Sequence, residues 1–586
     1  MTEETTGSEY LAQALRDYGV GHVFMVPTIA VPALAAMDRL GIVGVTAHSE
    51  KAAAYMADGY ARALGRPGIC MAQTVGAANL ASGLRDAMLA HAPVVAITGG
   101  TAPTTRRRGV YQELEDYPAF EPYTKFNMQL DDVRRLPDLL RQTFREATSG
   151  RPGPVHLELQ GLLGSVLQDR FTPADADDER KAERRHAAVP AYRPAPRRAD
   201  VAAAIEAIVT ARRPLVIAGG GVRASRAEAE LAAFAHTAGI PVVTSMTAKG
   251  AIDEHDPLAL GVMGGASRPS ANRAGERADL VVIVGSTVGS QLTDKFRLPA
   301  YGTPVVQIDI EGAEIGRNHP ADVGIQADAA ETLAALTAAW PSPGPDWSAW
   351  REETARYVAE FRASAEGLQT STDTPIRPER ILREVTGFLG DDDVLVVDTG
   401  HAAIWAAGQV DLRPSQTFLR AAGHLGWSLP AAIGAQAAVG EDRTVVAWTG
   451  DGGFYYHLAE IETAARYGIA PVIVVNDNVS LSQDMKVFQR AWGGAERITE
   501  SGDRMWRFAD VDLAGAARAL GAWSARVDDP GDLREALDEA SRMRRIAVLD
   551  VRTAPEALPD VPWGGRDYYA PDTKEEGEST WATSRR

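Results

Sequence analysis

The stretch 444–453 reads TVVAWTGDGG, an apolar run that ends in a glycine-rich turn. The run Thr444–Trp448 is typical of a buried parallel strand. The stretch LAEIETAARY at Leu458–Tyr467 has the spacing of a helix, and PVIVV at Pro471–Val475 predicts a second buried strand. A strand, a helix and a strand in this order predict a parallel α/β sheet with the turn at its carboxyl edge.

Polar residues follow both predicted strands. The turn after the first strand consists of Gly450, Asp451, Gly452 and Gly453. Its glycines allow a tight turn and a close approach of the backbone to a ligand. Asn478 follows the second strand, with Asp477 beside it as a rival, and open α/β sheets bind ligands at such strand ends. Carboxylate, amide and diphosphate oxygens are ligands that Mg²⁺ or Ca²⁺ prefers, so the pattern predicts a metal-bound diphosphate. The alternative is a glycine turn beside a polar strand end, without a ligand.

This arrangement resembles the signature of thiamine-diphosphate enzymes, in which GDG is followed by a second element that ends in Asn-Asn or Asp-Asn. In the decarboxylase and acetolactate-synthase branch the second metal ligand usually lies 27 residues after the aspartate, and here 478 − 451 = 27. The resemblance implies that Mg²⁺ is held by the side chains of Asp451 and Asn478 and by the backbone carbonyl of Ser480.

A second match lies near the amino end, where His48–Arg62 reads HSEKAAAYMADGYAR. It resembles the family's helix that begins at the glutamate touching the aminopyrimidine ring of the cofactor. A carboxyl group suits that role, because Glu50 can share a proton with the ring and an apolar setting would raise its pKa. The alternative is an ordinary acid in the first turn of a helix, favoured there by the helix dipole.

A third match covers Gly423–Ala432, GHLGWSLPAA. In the register of the family, Leu425 is the bulky residue beneath the cofactor, and the Gly423 carbonyl accepts a hydrogen bond from the aminopyrimidine. The alternative is that Leu425 belongs to the core, as most leucines do. The resemblance also implies cofactor contacts at Gly76, Gly400 and His401.

The departures from the family concern the substrate and FAD. The loop that reads Pro-Gly-Gly in acetolactate synthases is Pro27-Thr28-Ile29 here, and Gly-Met-Val after the metal site is replaced by Leu481-Ser482-Gln483. Together with Gln112 of the family-like segment YQELED, Thr28 and Gln483 are the candidate substrate residues. The FAD signature of the middle domain, an Arg followed by paired Asp residues, is replaced by Gly285–Ser290, so FAD binding is doubtful.

Composition restricts the partners. The chain has 586 residues, of which 45% are hydrophobic, and a net charge of −18. The charge argues against nucleic acid and anionic membranes. One cysteine, Cys70, rules out a disulfide framework within the chain. The polar start MTEETTGSEY is unlike a secretory signal, and no apolar stretch is long enough to span a bilayer, so we expect a cytoplasmic protein.

The resemblance covers nearly the full length and predicts three doubly wound parallel α/β domains. A pyrimidine-binding domain at 1–174 and a linker at 175–198 precede a middle domain at 199–340. A diphosphate-binding domain follows at 375–560, before a polar tail at 574–586. In this family the two halves of each site come from different subunits, so the resemblance implies a homodimer or homotetramer.

Two classes of function fit these observations. The first is an enzyme that forms or breaks a carbon–carbon bond beside a carbonyl, with a 2-keto acid and a carbonyl acceptor as its small-molecule partners. Within that class, a 2-keto acid decarboxylase and a 2-hydroxyacyl-CoA lyase are the rivals of an acetolactate-synthase-like enzyme. The second class is a catalytically silent homologue or subunit, which the presence of Glu50, Asp451 and Asn478 disfavours.

Overall fold

A computed structural model describes residues 4–173 and 183–559. The predicted tail at 574–586 and part of the predicted linker lie outside the described residues. The described chain contains three six-stranded sheets in which every strand pair is parallel. The predicted fold class, three parallel α/β domains, is therefore confirmed.

The N-terminal domain has the strand order β3-β2-β4-β5-β7-β6, and β1 pairs with β8 in a separate antiparallel ladder. Its strands are β1 Thr5–Thr6, β2 His22–Met25, β3 Val43–Thr46, β4 Gly68–Ala72, β5 Val94–Gly99, β6 Phe126–Leu130, β7 Val155–Leu159 and β8 Arg170–Phe171. Its α-helices are α1 Gly7–Asp17, α2 Val31–Arg39, α3 Glu50–Leu64, α4 Ala77–Ala90 and α5 Leu136–Thr148.

The middle domain has the strand order β11-β10-β9-β12-β13-β14. Its strands are β9 Pro214–Ala218, β10 Val242–Thr244, β11 Ala259–Val262, β12 Leu280–Val284, β13 Val305–Asp309 and β14 Val323–Gln326. Its helices are α6 Arg198–Thr210, α7 Gly220–Ser225, α8 Glu228–Ala238, α9 Pro269–Arg277 and α10 Ala329–Ala338. The long helix α11, Ser348–Gln369, leads to the next domain.

The C-terminal domain has the strand order β16-β15-β17-β18-β20-β19. Its strands are β15 Val394–Val397, β16 Thr417–Arg420, β17 Val445–Gly450, β18 Val472–Asp477, β19 Trp523–Val527 and β20 Ala547–Arg552. Its helices are α12 Pro378–Phe388, α13 His401–Gln409, α14 Ser428–Val439, α15 Asp451–Tyr456, α16 Glu460–Tyr467, α17 Met485–Trp492, α18 Glu500–Asp503, α19 Leu513–Ala519 and α20 Leu533–Arg542.

The two outer domains share one hydrophobic core. The buried cluster that contains α3 and α4 of the N-terminal domain continues into α14 and β17 of the C-terminal domain. Glycines bring α3 and α14 close together, since a Cβ on Gly59 would lie 2.1 Å from the Ala431 carbonyl oxygen. A Cβ on Gly434 would lie 1.9 Å from the Met56 carbonyl oxygen. The outer domains of one chain are thus held in fixed contact along these helices.

The predicted helix at 458–467 begins elsewhere in the structure. A first helix, α15, starts at Asp451 itself, and α16 follows only at Glu460. The glycines after Asp451 lie in the first turn of α15, and at Gly452 there is no room for a side chain: a Cβ there would lie 2.5 Å from Leu481 Cδ2. Their role includes close packing as well as the tight turn expected from the sequence.

Among the described residues, no helix combines the length and the apolar composition needed to cross a membrane.

Candidate active site

The predicted site lies where the strand order of the C-terminal sheet reverses. Strands β15 and β17 are neighbours, while the chain runs outward from β15 to β16 and from β17 to β18. Open α/β sheets bind ligands outside the carboxyl ends of strands at such a point. Gly400 and His401 follow β15, and Asp451 follows β17. The fold therefore brings three of the predicted cofactor residues to this edge.

The predicted metal ligands form one hydrogen-bonded group. Gly450 pairs with Asn476 in the β17–β18 ladder, which sets Asp451 beside the end of β18. The Ser480 main-chain N–H donates to Asp451 Oδ2 at 2.9 Å and to Asn478 Oδ1 at 3.1 Å. Asn478 Nδ2 donates to Ser482 Oγ at 3.0 Å. The structure thus brings Asp451, Asn478 and Ser480 together, as the 27-residue spacing predicts.

Val479 carries the bend between the two later ligands. Its φ of 58° lies in the left-handed region, which costs a β-branched residue on the order of 1–3 kcal/mol. The Val479 N–H donates to Asp477 Oδ1 at 3.1 Å, and its carbonyl accepts from the Phe508 N–H at 2.9 Å. These bonds hold a strained backbone at the point where Asn478 and Ser480 turn toward Asp451.

Asp477, the rival of Asn478, has a different partner. Arg552 Nη1 donates to Asp477 Oδ2 at 2.5 Å. An aspartate that is paired with an arginine is a weaker metal ligand than an amide oxygen beside Asp451, because the arginine already neutralises its charge. The geometry therefore favours Asn478.

The surroundings of Asp451 suit a cation. Asp451, Asp477 and Asp550 are all buried, and Arg552 is the basic group that bonds to this cluster. Burial and the nearby Asp477 carboxylate raise the pKa of Asp451 above its usual range. Within the described ranges, no group of three His, Cys, Asp or Glu side chains is arranged to hold a metal ion. The predicted set of one carboxylate, one amide oxygen and one carbonyl is of another kind and fits Mg²⁺ completed by diphosphate oxygens.

Unpaired polar atoms surround the end of β15. Both ring nitrogens of His401 and Gln483 Oε1 are buried without a hydrogen-bond partner among the described residues. A Cβ on Gly400 would lie 2.8 Å from Gln483 Oε1, so this amide reaches the site and does not point to solvent. Burial lowers the pKa of His401 to about 4, so its imidazole is neutral at pH 7. Buried polar atoms left unpaired are costly, and a bound ligand would satisfy them.

Glu50 and Gly76 lie together in the N-terminal domain. Glu50 is the first residue of α3, and Asn79 Nδ2 donates to its Oε2 at 2.7 Å. A Cβ on Gly76 would lie 2.4 Å from Glu50 Oε1. The setting of Glu50 in one chain is therefore half-buried and polar, unlike the apolar setting expected from the sequence. No hydrogen bond between described residues joins Glu50 to Asp451 or Asn478.

The segment that contains Gly423 and Leu425 is open. A Cβ on Gly423 would meet no atom within 4 Å. Leu425 is half-buried and belongs to none of the four hydrophobic clusters of the described chain. The alternative that Leu425 is an ordinary core residue is therefore disfavoured.

Two candidate substrate residues have strained backbones. Thr28 has a φ of 87° and Gln112 a φ of 62°. Thr28 is exposed after β2, and Gln112 Oε1 is buried without a partner among the described residues. Strained positions of this kind cluster at functional sites. No described hydrogen bond joins either residue to Asp451 or Asn478.

Two buried aspartates near the site were not predicted from the sequence. Asp398 directly follows β15, and Asp86 lies in α4. Both bond to the backbone of the segment 422–428. The signal for Asp398 was present in the sequence, because it ends the apolar run Val394–Val397 as Asp451 follows β17. Nothing in the sequence pairs Asp86 with a segment 336 residues away.

A large cavity of the described chain lies elsewhere. It has a volume of about 750 Å³ and lies at the reversal point of the middle sheet, between β9 and β12, with walls from the two outer domains. Gly219 and Gly221 pack against Gly285, since a Cβ on either would lie within 2.7 Å of its atoms. Close backbone packing at the turn between β9 and α7 therefore explains these glycines.

Comparison with known families gives three matches along the chain. The model described as "Thiamine pyrophosphate enzyme, N-terminal TPP binding domain" matches residues 5–120. The model of the central domain of thiamine pyrophosphate enzymes matches residues 201–336, and that of their C-terminal TPP binding domain matches residues 398–551. Thiamine pyrophosphate, or TPP, is another name for thiamine diphosphate.

Similar proteins cover nearly the whole chain. A "Probable acetolactate synthase large subunit" of Methanocaldococcus jannaschii is 32% identical and covers 96% of this chain and 94% of its own. The acetolactate synthase large subunit of Corynebacterium glutamicum is 30% identical, with 94% of this chain and 87% of its own covered. The chloroplastic acetolactate synthase 2 of Nicotiana tabacum is 30% identical, with 96% and 84% covered.

Proposed function

This chain belongs to the acetolactate-synthase-like family of thiamine-pyrophosphate enzymes, and we propose that it joins a 2-keto acid, with loss of CO₂, to a second carbonyl compound. The observation that carries the proposal is the pair of oxygens, on Asp451 and Asn478, that accept from the one Ser480 N–H. These oxygens lie at the carboxyl edge where the family places a metal-bound diphosphate.

Each residue has a role that its position supports. Asp451, Asn478 and the Ser480 carbonyl would hold Mg²⁺, and the glycine turn would allow the diphosphate to approach the backbone closely. The buried imidazole of His401 offers one donor beside Gly400. Thiamine diphosphate, when bound, supplies a nucleophilic carbon and takes up the electrons that decarboxylation releases.

The other roles belong to the aminopyrimidine end of the cofactor. Glu50 would exchange a proton with the ring through the carboxyl group that Asn79 orients at 2.7 Å. Leu425, half-buried and outside the core clusters, would support the cofactor from below, and the Gly423 carbonyl would accept from the amino group.

We propose that a second copy of the chain completes each site. Glu50 bonds within its own N-terminal domain, and the resemblance assigns it to the cofactor of a neighbouring subunit. A homodimer or homotetramer follows from this proposal. Mixing inactive Glu50→Gln chains with inactive Asp451→Ala chains should restore activity, because one intact site forms in each mixed dimer; an active monomer would contradict it.

The second carbonyl compound is expected to carry a hydrogen-bonding group. Gln483 Oε1 is buried beside Gly400 without a partner among the described residues, and an unpaired buried amide costs roughly 1–3 kcal/mol. An acceptor with a hydroxyl or N–H donor would satisfy it, whereas pyruvate, whose ionised form has neither group, would not. Flavin has no part in this proposal, and a cytoplasmic location remains a prediction.

The decisive experiment offers the purified protein, with thiamine diphosphate and Mg²⁺, a panel of 2-keto acids with and without aldehydes. Mass spectrometry of the products should show a new carbon–carbon bond. Release of a free aldehyde alone would favour a decarboxylase. Cleavage of a 2-hydroxyacyl-CoA, with no reaction of 2-keto acids, would favour the lyase.

A further inference from the structure

The backbone of the segment 422–428 donates hydrogen bonds to two buried carboxylates. It links β16 to α14 and contains Gly423 and Leu425. On one side Asp86 Oδ2 accepts from the Ala422 N–H at 2.9 Å, and Asp86 Oδ1 accepts from the His424 N–H at 3.1 Å. Both oxygens of this carboxylate are thus used by main-chain donors that flank Gly423.

The other end is held by Asp398. Its Oδ1 accepts from the Gly426 N–H at 3.0 Å, and its Oδ2 accepts from the Ser428 N–H at 3.0 Å and the Ser428 hydroxyl at 2.6 Å. Gly426 has a φ of 84° and no room for a Cβ, which would lie 2.4 Å from Tyr456 Cβ. The segment therefore has one conformation at this end, fixed by Asp398 and by close packing.

Both aspartates are fully buried, at 0% exposure. A buried carboxylate is kept only where strong hydrogen bonds compensate its desolvation, and bonds to an ionised acceptor are stronger than neutral ones. The two carboxylates come from different domains, since Asp86 lies in α4 of the N-terminal domain and Asp398 follows β15 of the C-terminal domain. Gly423 and Leu425 lie between the N–H groups that these two carboxylates bind.

We infer that Asp86 and Asp398 are positioning residues that clamp the segment 422–428 in the shape required by the cofactor. This inference rests on the proposed function for its ligand, but the clamp itself is a property of the chain alone. Asp86 makes the cofactor-facing segment of the C-terminal domain dependent on the N-terminal domain of the same chain. The clamp fixes the backbone that carries the Gly423 carbonyl and the Leu425 side chain.

The first test needs no cofactor. Hydrogen–deuterium exchange of the full-length protein should show slow exchange at Ala422, His424 and Gly426. The variant Asp86→Asn keeps the shape of the side chain but removes the charge and one acceptor, so exchange at Ala422 and His424 should speed up about 10- to 100-fold. Glu158→Gln, a change at another buried acid of the N-terminal domain, is the matched control and should leave this segment unchanged.

The second test measures the binding of the cofactor and the exchange of its C2 proton. Titration of thiamine diphosphate at fixed Mg²⁺ should show binding about 10- to 100-fold weaker in Asp86→Asn than in wild type. At saturating cofactor the exchange of its C2 proton should still be slower, whereas a merely structural change would restore the wild-type rate at saturation. The Glu158→Gln control should match wild type in both measurements.

Ser428→Ala provides a second route should Asp86→Asn fail to fold. It removes one of the bonds to Asp398 and should shift the same measurements in the same direction by less. Unchanged exchange at Ala422 and His424 in Asp86→Asn, or at Gly426 in Ser428→Ala, would overturn the clamp. A wild-type protein that binds no thiamine diphosphate would instead overturn the proposed function, because the exchange experiment is independent of the cofactor.

Discussion

The side-chain oxygens of Asp451 and Asn478 accept hydrogen bonds from the same main-chain N–H, that of Ser480, at 2.9 and 3.1 Å. Two residues 27 positions apart in the sequence are therefore brought together at one main-chain donor. Because one donor serves both oxygens, the two lie close enough to share a metal ion. Any change that turns the Asn478 amide away should therefore weaken the hold on that ion.

Ser482→Ala should shift the Mg²⁺ dependence of cofactor binding to higher Mg²⁺ concentrations. The Ser482 hydroxyl accepts from Asn478 Nδ2 at 3.0 Å and so orients the amide whose oxygen is the predicted ligand. Removal of an outer partner of a metal ligand typically costs about 10- to 100-fold in metal affinity. Calorimetric titration of thiamine diphosphate at several Mg²⁺ concentrations measures the effect.

The exposed Ser541 provides the control, since Ser541→Ala touches only a helix surface. Identical Mg²⁺ dependence in Ser482→Ala and Ser541→Ala would remove Asn478 from the ligand set.

Gly76→Ala should displace the Glu50 carboxyl group without changing Glu50 itself. The added methyl group would lie 2.4 Å from Glu50 Oε1. A misplacement of about 1 Å can cost on the order of 100-fold in rate, and loss of the carboxyl in Glu50→Gln about 10²–10⁴-fold. The readout is exchange of the cofactor C2 proton in deuterated buffer.

Gly367→Ala is a suitable comparison, because a Cβ there meets no atom within 4 Å. If Gly76→Ala and Glu50→Gln both exchange the C2 proton as fast as Gly367→Ala, Glu50 has no part in that step.

Gln483→Met should change the choice of acceptor but not the donor. The amide oxygen beside Gly400 is replaced by a thioether, so an acceptor with a hydroxyl or N–H group loses about tenfold against plain pyruvate. Competition between two acceptors for one donor, read by mass spectrometry, gives the ratio.

Gln489→Met, the same substitution at a residue of α17, is the control for Gln483→Met. A wild-type protein that makes acetolactate rapidly from pyruvate alone, with the same product ratio in both variants, would leave Gln483 without a selective role.

Asp58→Asn should become more stable relative to wild type as the pH rises. Burial raises the pKa of Asp58 to about 7, an effect that Arg62 opposes and Asp86 on α4 reinforces. Because the pKa of Asp58 is higher in the folded than in the unfolded state, protonated Asp58 contributes its full stabilisation of the fold below about pH 4. This contribution is lost as the pH rises through 7. At about 1.4 kcal/mol per pKa unit, the free energy of unfolding that is lost over this pH range is at most about 4 kcal/mol.

Melting temperatures of wild type and Asp58→Asn at pH 5 and pH 8 measure this effect. The amide introduced by the substitution can still accept from the Trp427 indole, which bonds to Asp58 at 2.8 Å, so the packing is preserved. An equal difference in melting temperature at both pH values would show that Asp58 does not titrate in this range.

The fold could be predicted because each domain repeats the same local pattern. Apolar runs such as Val445–Trp448 and Val472–Val475 are buried on both faces of the sheet. Such strands consist of consecutive apolar residues, a pattern that can be recognised in the sequence. The register between Gly450 and Asn476 follows from these runs, which explains why residues chosen by their spacing in sequence lie together in the structure.

The rest depends on contacts that no local pattern encodes. Gly452, in the helix that begins at Asp451, lies against Leu481, a residue of another loop, and this contact leaves no room for a larger residue. The backbone strain at Val479 is fixed by hydrogen bonds to Asp477 and Phe508. The contact of Asp86 with Ala422 spans 336 residues. Such features appear only when separate elements have been brought together.

The central claim is that Asp451 holds a metal-bound thiamine diphosphate that acts on a 2-keto acid. Release of labelled CO₂ from carboxyl-labelled pyruvate and other 2-keto acids tests it most directly. We expect release only when thiamine diphosphate and Mg²⁺ are both present, and none from Asp451→Ala under the same conditions. Release that is independent of the cofactor, or as fast in Asp451→Ala as in wild type, would contradict it.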